Sequence, residues 1–217
     1  MAGDHGSHDL GLQSSIVNRQ SPILYGGDAV TVAEALLRLR SGDVETRREA
    51  ALALGRSGSA LGVAPLVGAL KDPDRAVRAA AEEALWSLWM GSGDAETDAH
   101  LQEGTRRMEA GDHAGAIACF SRVVARAPDF AEGYNKRATA RYLRGAYAQS
   151  IHDCQETLRR NPVHFGALSG AGLCFMALGW SSRARRYFQA ALAVHPDLPG
   201  VRQNLAHLDR LDRLQTN

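Results

Sequence analysis

The chain has 217 residues, 45% hydrophobic and 23% charged, enough length and apolar content for a sizeable core and a composition that argues against disorder throughout. A formal net charge of +1 gives no bulk electrostatic reason to expect nucleic acid or an anionic membrane as partner. The three cysteines, Cys119, Cys154 and Cys174, are odd in number and form no CxxC pair, so a reducing compartment is expected rather than a disulfide scaffold; no run of about 20 apolar residues is present to span a bilayer.

Residues 1–30 carry Asp4, Asp9 and Asp28 against a single Arg19. They lack both the apolar core of a signal peptide and the acid-free, arginine-rich character of a transit peptide. The segment is read as a disordered leader, with a short partner-binding tag as the alternative. The expected location is soluble and intracellular, the cytoplasm first, an organelle lumen if a presequence is missing.

Helical periodicity begins near Thr31, and residues 31–90 contain a repeat. Leu39, Asp43, Arg47, Ala50, Ala53 and Leu54 return 31 residues later as Leu70, Asp74, Arg78, Ala81, Ala84 and Leu85. Each copy reads as an apolar helix end, a short polar turn, then an alanine-rich amphipathic helix whose first amides the turn acid can cap. The run from Asp74 to Leu85 resembles the second helix of HEAT repeats, in the short form named after phycobilisome lyases. Trp86 and Trp89 follow at i and i+3, on one helix face, each able to bury roughly 150–250 Å². They are read as the seam where the HEAT-like pair packs on the next hairpin, an exposed partner patch being the alternative. Gly91-Ser92-Gly93-Asp94 then breaks the helix, and 91–96 is a short linker.

From 97 to 198 the period becomes 34. Gly111, Gly145 and Gly179 keep that step, as do Pro128, Pro162 and Pro196, Gly104, Ala138 and Gly172, and Ala116, Ser150 and Ala184. Three units, 97–130, 131–164 and 165–198, each read helix, glycine turn, helix, proline. This period and pattern resemble tetratricopeptide repeats. Cys154 stands in unit two where Phe120 and Phe188 stand in the others, and looser packing is expected there. Val201, Leu205, Leu208 and Leu211 form the stripe of a capping helix over 199–217. The expected fold is all-α: a right-handed α-solenoid of hairpins, a HEAT-like pair followed by three tetratricopeptide units and the cap.

No catalytic pattern stands out. HExxH, GxSxG and GxxxxGK[ST] are absent, and Gly170-Ala-Gly172 has no preceding strand to make it a dinucleotide fingerprint. His113, His152 and His195 are expected on turns or outer faces, and Glu82, Glu83 and Asp153 on polar faces. The arginine pairs interleave with acids and read as solvated surface. No catalytic, cofactor-binding or metal-binding residue is nominated.

The resemblance implies that the first helix of each hairpin lines a concave groove. By register, unit one presents Leu101, Gln102, Thr105 and Met108; unit two Asn135, Lys136, Thr139 and Tyr142; unit three Gly166, Ser169, Gly170, Leu173 and Met176. Apart from Glu132 and Lys136 this wall is uncharged, and its Met and Tyr suit apolar anchors on a partner protein or peptide. Chaperone-binding relatives hold a carboxylate with several cations. Here Leu101, Thr105, Lys136, Gly166 and Gly170 occupy those positions and leave one cation, which argues against an Hsp70 or Hsp90 tail. Gly166 and Gly170 are expected to leave a flat patch where a ligand or neighbouring helix approaches the backbone. The leading reading is a non-catalytic adaptor or assembly factor. The alternatives are an accessory factor related to HEAT-like bilin lyases, or a permanent subunit of a larger complex.

Overall fold

The computed structural model describes residues 30–215; the leader read over 1–30 lies outside them but for Val30. Eleven α-helices and one short 3-10 turn make up the described chain: α1 (Val32–Arg38), α2 (Val44–Arg56), the turn Ala60–Gly62, α3 (Val63–Ala69), α4 (Arg75–Met90), α5 (Ala95–Glu109), α6 (His113–Arg126), α7 (Ala131–Leu143), α8 (Tyr147–Arg160), α9 (Phe165–Ala177), α10 (Ser181–Val194) and α11 (Pro199–Gln215). No described residue lies in a strand. The fold is an all-α repeat solenoid in which consecutive helices pair as antiparallel hairpins.

Local chemistry sets the ends of these helices. Asp43, Asp74, Asp94 and Asp112 each accept a hydrogen bond from an amide of the first turn they precede, at 2.7, 2.7, 3.0 and 2.8 Å. Gly111, Gly145 and Gly179 sit at φ near +79°, +77° and +75°, the left-handed conformation that terminates the first helix of each tetratricopeptide hairpin. Each second helix stops one residue before its proline, at Ala127, Asn161 and His195, where ψ of 75°, 87° and 98° shows the preceding residue driven out of the helical region.

Within each hairpin the paired helices meet at a matched small–large contact. An added Cβ at Gly104 would lie 2.5 Å from the Phe120 ring, and one at Gly172 2.5 Å from Phe188. In unit two the pair is Ala138 with Cys154, both buried together with Ala171. The methyl of Ala138 fills what the smaller Cys154 leaves open, so the looser packing expected from Cys154 alone is compensated across the same contact.

Several polar residues read as solvated are buried. Asp153 lies between the Arg137 and Arg141 guanidiniums, which donate to it at 2.8–2.9 Å and 2.6 Å. His195 is buried against α4, with Glu82 3.2 Å away. Both expectations fail because a polar position is exposed only where no other element covers it. The cap α11 packs Val201 and Leu208 into the third hairpin, and Arg185 of α10 pairs with its Asp209 and Asp212. Leu211, expected in the same stripe, is exposed.

Candidate partner-binding surface

The first helices α5, α7 and α9 stand side by side and form the wall that register assigned to a partner. Gln102 is exposed; Thr105, Met108, Lys136, Thr139, Tyr142, Gly166, Ser169, Gly170, Leu173 and Met176 are half-buried. Two expected members are not on the open surface. Leu101 belongs to the core with Ala116, Phe120 and Val123, and Asn135 is buried beside Glu132. The wall is chemically muted. The hydroxyls of Thr105, Thr139 and Ser169 donate back to the carbonyls of Leu101, Asn135 and Phe165 at 2.9, 3.1 and 2.8 Å, so their free faces are methyls or acceptors. Tyr142, Leu173 and Met176 pack on one apolar cluster, with Tyr147 5.5 Å from Tyr142 between ring centroids. Gly170 faces α8, where an added Cβ would be 3.5 Å from the Cys154 sulfur.

The other end of the wall, near the N-termini of α7 and α9, is polar and covered. Glu132 is only 1% exposed. The Ala167 amide donates to His164 Nδ1 at 3.1 Å, so that nitrogen is unprotonated and Nε2 carries the proton toward Glu132, 2.9 Å away. Asn135 donates to both Glu132 oxygens at 3.2 and 3.1 Å, and the Lys136 ammonium stands 3.6 Å off. Burial pushes the Glu132 carboxyl up, but the His164 hydrogen bond, Lys136 and Asn135 outweigh it and hold the group below its usual 4.5. The one cation expected on this wall is therefore committed inside the chain.

The cover is α4. Trp89 stacks on His164 with ring centroids 4.6 Å apart and planes at 22°, and Trp86 meets His164 and Phe165 edge-on at 5.5 and 5.2 Å. An added Cβ on Gly166 would lie 3.0 Å from Trp86 Cη2. Farther back along α4, Glu82 faces His195, and Arg78 donates to Asp197 at 2.6 Å. The tryptophan pair thus packs where units two and three meet, on His164 and Phe165, rather than on the adjacent hairpin of unit one. The flat patch expected at Gly166 is filled by Trp86.

The HEAT-repeat family profile matches residues 31–117, and the tetratricopeptide-repeat profile matches 101–162 and 147–199. This chain is a tetratricopeptide-repeat protein with HEAT repeats ahead of the array. The HEAT match runs past Met90 into α6, since the first tetratricopeptide hairpin is also a pair of antiparallel amphipathic helices. A TPR repeat-containing protein of Rhizobium etli is 31% identical over 126 residues, 58% of this chain and 61% of that protein. A tetratricopeptide repeat protein 36 homolog of Nematostella vectensis is 35% identical over 69 residues, 32% of this chain and 38% of its own length. The chain thus spans less than two thirds of either relative. Among solved structures, the Sgt2 TPR domain of Aspergillus fumigatus superposes with TM-score 0.55 at 17% identity, covering 57% of this chain and 84% of that domain. The TPR2B domain of yeast Sti1, in its pHsp70 complex, gives 0.52 at 18%, covering 54% and 99%. These likenesses establish the fold.

In this tetratricopeptide protein, register marks Glu132 only as a charge on the wall and His195 only as a turn or outer-face residue, and it does not single out His164. A signal for His164 was present: it occupies the slot of Phe130 and Leu198 in the neighbouring units, and a ring nitrogen where its equivalents are apolar implies a buried polar partner. No sequence spacing pointed to Glu82 or Trp89 as what covers these groups.

Proposed function

We propose that this tetratricopeptide protein is a non-catalytic adaptor whose α5–α7–α9 wall holds a partner peptide or helix by apolar anchors. The observation that carries the reading is the self-satisfied wall: Thr105, Thr139 and Ser169 spend their protons on their own helices, while Met108, Tyr142, Leu173 and Met176 offer adaptable apolar contact. The domain fold is one in which relatives bind peptides, Hsp70 among the partners in the solved complexes. An Hsp tail is not the ligand proposed here. Capture of a terminal carboxylate calls for several free cations, whereas Lys136 already faces Glu132 and Trp86 covers Gly166.

Selection of a displayed peptide library on the intact chain tests this directly. Enrichment of sequences with spaced Leu, Met or aromatic residues is expected, with binding lost in Tyr142→Glu/Met176→Glu. Enrichment of acidic C-terminal tails, or binding indifferent to those two substitutions, overturns the reading.

A further inference from the structure

The covered end of the wall has the features of a ligand seat whose ligand is part of the same chain. Gly166 lacks a side chain where Trp86 comes closest; His164 offers its ring face to Trp89; and Phe165, with Val163, Val194 and Leu198, completes an apolar rim around the pair. The polar groups beneath, Glu132 and Asn135, are satisfied by His164 and by each other, so the floor requires nothing polar from the occupant. The occupant is a helix with two aromatic residues three positions apart, flanked one turn earlier by an acid facing His195 and two turns earlier by an arginine on Asp197. Its segment leads to unit one through Gly91-Ser92-Gly93-Asp94, where Gly93 takes φ of +80°. Trp86 and Trp89 therefore reach the junction of units two and three past the neighbouring hairpin. In an ordinary solenoid each unit touches only its neighbours.

We propose that the N-terminal end of the wall at units two and three is a seat for a helix bearing aromatic residues at i and i+3, occupied in the resting chain by α4, so that a partner helix of this kind competes with the HEAT repeats for it. The proposal rests on the wall as partner surface but concerns its other end, and its test uses no foreign partner, so either can fail alone. Because α4 is tethered, it competes at an effective concentration of about millimolar. An external helix is then excluded from the intact chain and admitted when α4 is released.

The probe is a labelled peptide of residues 75–90, titrated by fluorescence anisotropy into the full chain and into Trp86→Ala/Trp89→Ala, with helicity checked by circular dichroism. Binding to the variant at least about tenfold tighter than to the intact chain is expected. Equal binding to both overturns occupancy by α4, and no binding to a folded variant overturns the seat. A second substitution guards against loss of fold in the double variant. In a Trp180→Phe background the emission comes from Trp86 and Trp89 alone, and Gly166→Leu should move it to the red with helicity kept. Emission unchanged by Gly166→Leu overturns the contact itself.

Discussion

At the scale of single residues, the solenoid depends on paired sizes. Gly104 and Gly172 are glycines because a phenylalanine ring occupies the space of a Cβ, and Ala138 is alanine because Cys154 does not reach that far. Gly104→Ala should therefore destabilise the chain by about 1–3 kcal/mol in chemical denaturation, through overpacking against Phe120. Cys154→Phe should destabilise unit two in the same way, and the double change Ala138→Gly/Cys154→Phe, which recreates the pair of its neighbours, should recover much of the loss. Non-additivity of the two substitutions is the quantity to measure; simple additivity would mean the two positions do not share one contact. The same burial bears on reactivity. Desolvation raises the Cys154 thiol far above its ordinary range and the Cys174 thiol to about 11. Neither should react with maleimide at neutral pH in the folded chain, and both should do so in denaturant.

At the scale of elements, the seat between α4, α7 and α9 is a polar floor under an aromatic cover. Glu132 has its carboxyl held below 4.5, so its charged form contributes stability that is complete above that value and drains away as pH falls below it. Glu132→Gln should flatten this acid limb: the unfolding midpoints of the two proteins should hold a constant gap from pH 7 to about pH 5 and converge as pH falls below 4.5, with the wild type losing more. Parallel pH profiles would remove Glu132 from the account. Glu132→Ala is harsher, because it leaves His164 Nε2 and the Asn135 amide buried without an acceptor, and a loss of about 2–3 kcal/mol at pH 7 is expected.

At the scale of the whole molecule, α4 changes what kind of object the chain is. A one-dimensional stack of hairpins propagates stability between neighbours only. Here the ion pair between Arg78 and Asp197 joins residues 119 apart in sequence, and the aromatic cluster joins the HEAT repeats to the third tetratricopeptide unit. The two repeat classes should unfold together. In the Trp180→Phe chain, tryptophan emission and helical circular dichroism should trace one denaturation curve, and Gly166→Leu should separate them. Separate curves in the parent chain would mean that the HEAT repeats unfold independently of the array.

The repeat grammar follows from residue spacing alone. The 31- and 34-residue periods, the capping aspartates, the left-handed glycines and the helix-ending prolines are all effects of a residue on its own backbone or on the next turn, so spacing alone reveals them. The wall's uncharged character was equally legible from register. What lies over that wall is set by long-range packing. Register points Leu101, Asn135 and Asp153 outward, but each is buried against its own helix or its hairpin partner; His195 and Gly166 are covered by Glu82 and Trp86 of α4, from a distant part of the chain. Trp86 and Trp89 announced burial through their size, but the surface they bury against lies past the neighbouring hairpin. Periodicity reports which face of a helix is apolar; which other helix that face meets is decided by long-range packing, and there the sequence pattern carries no record.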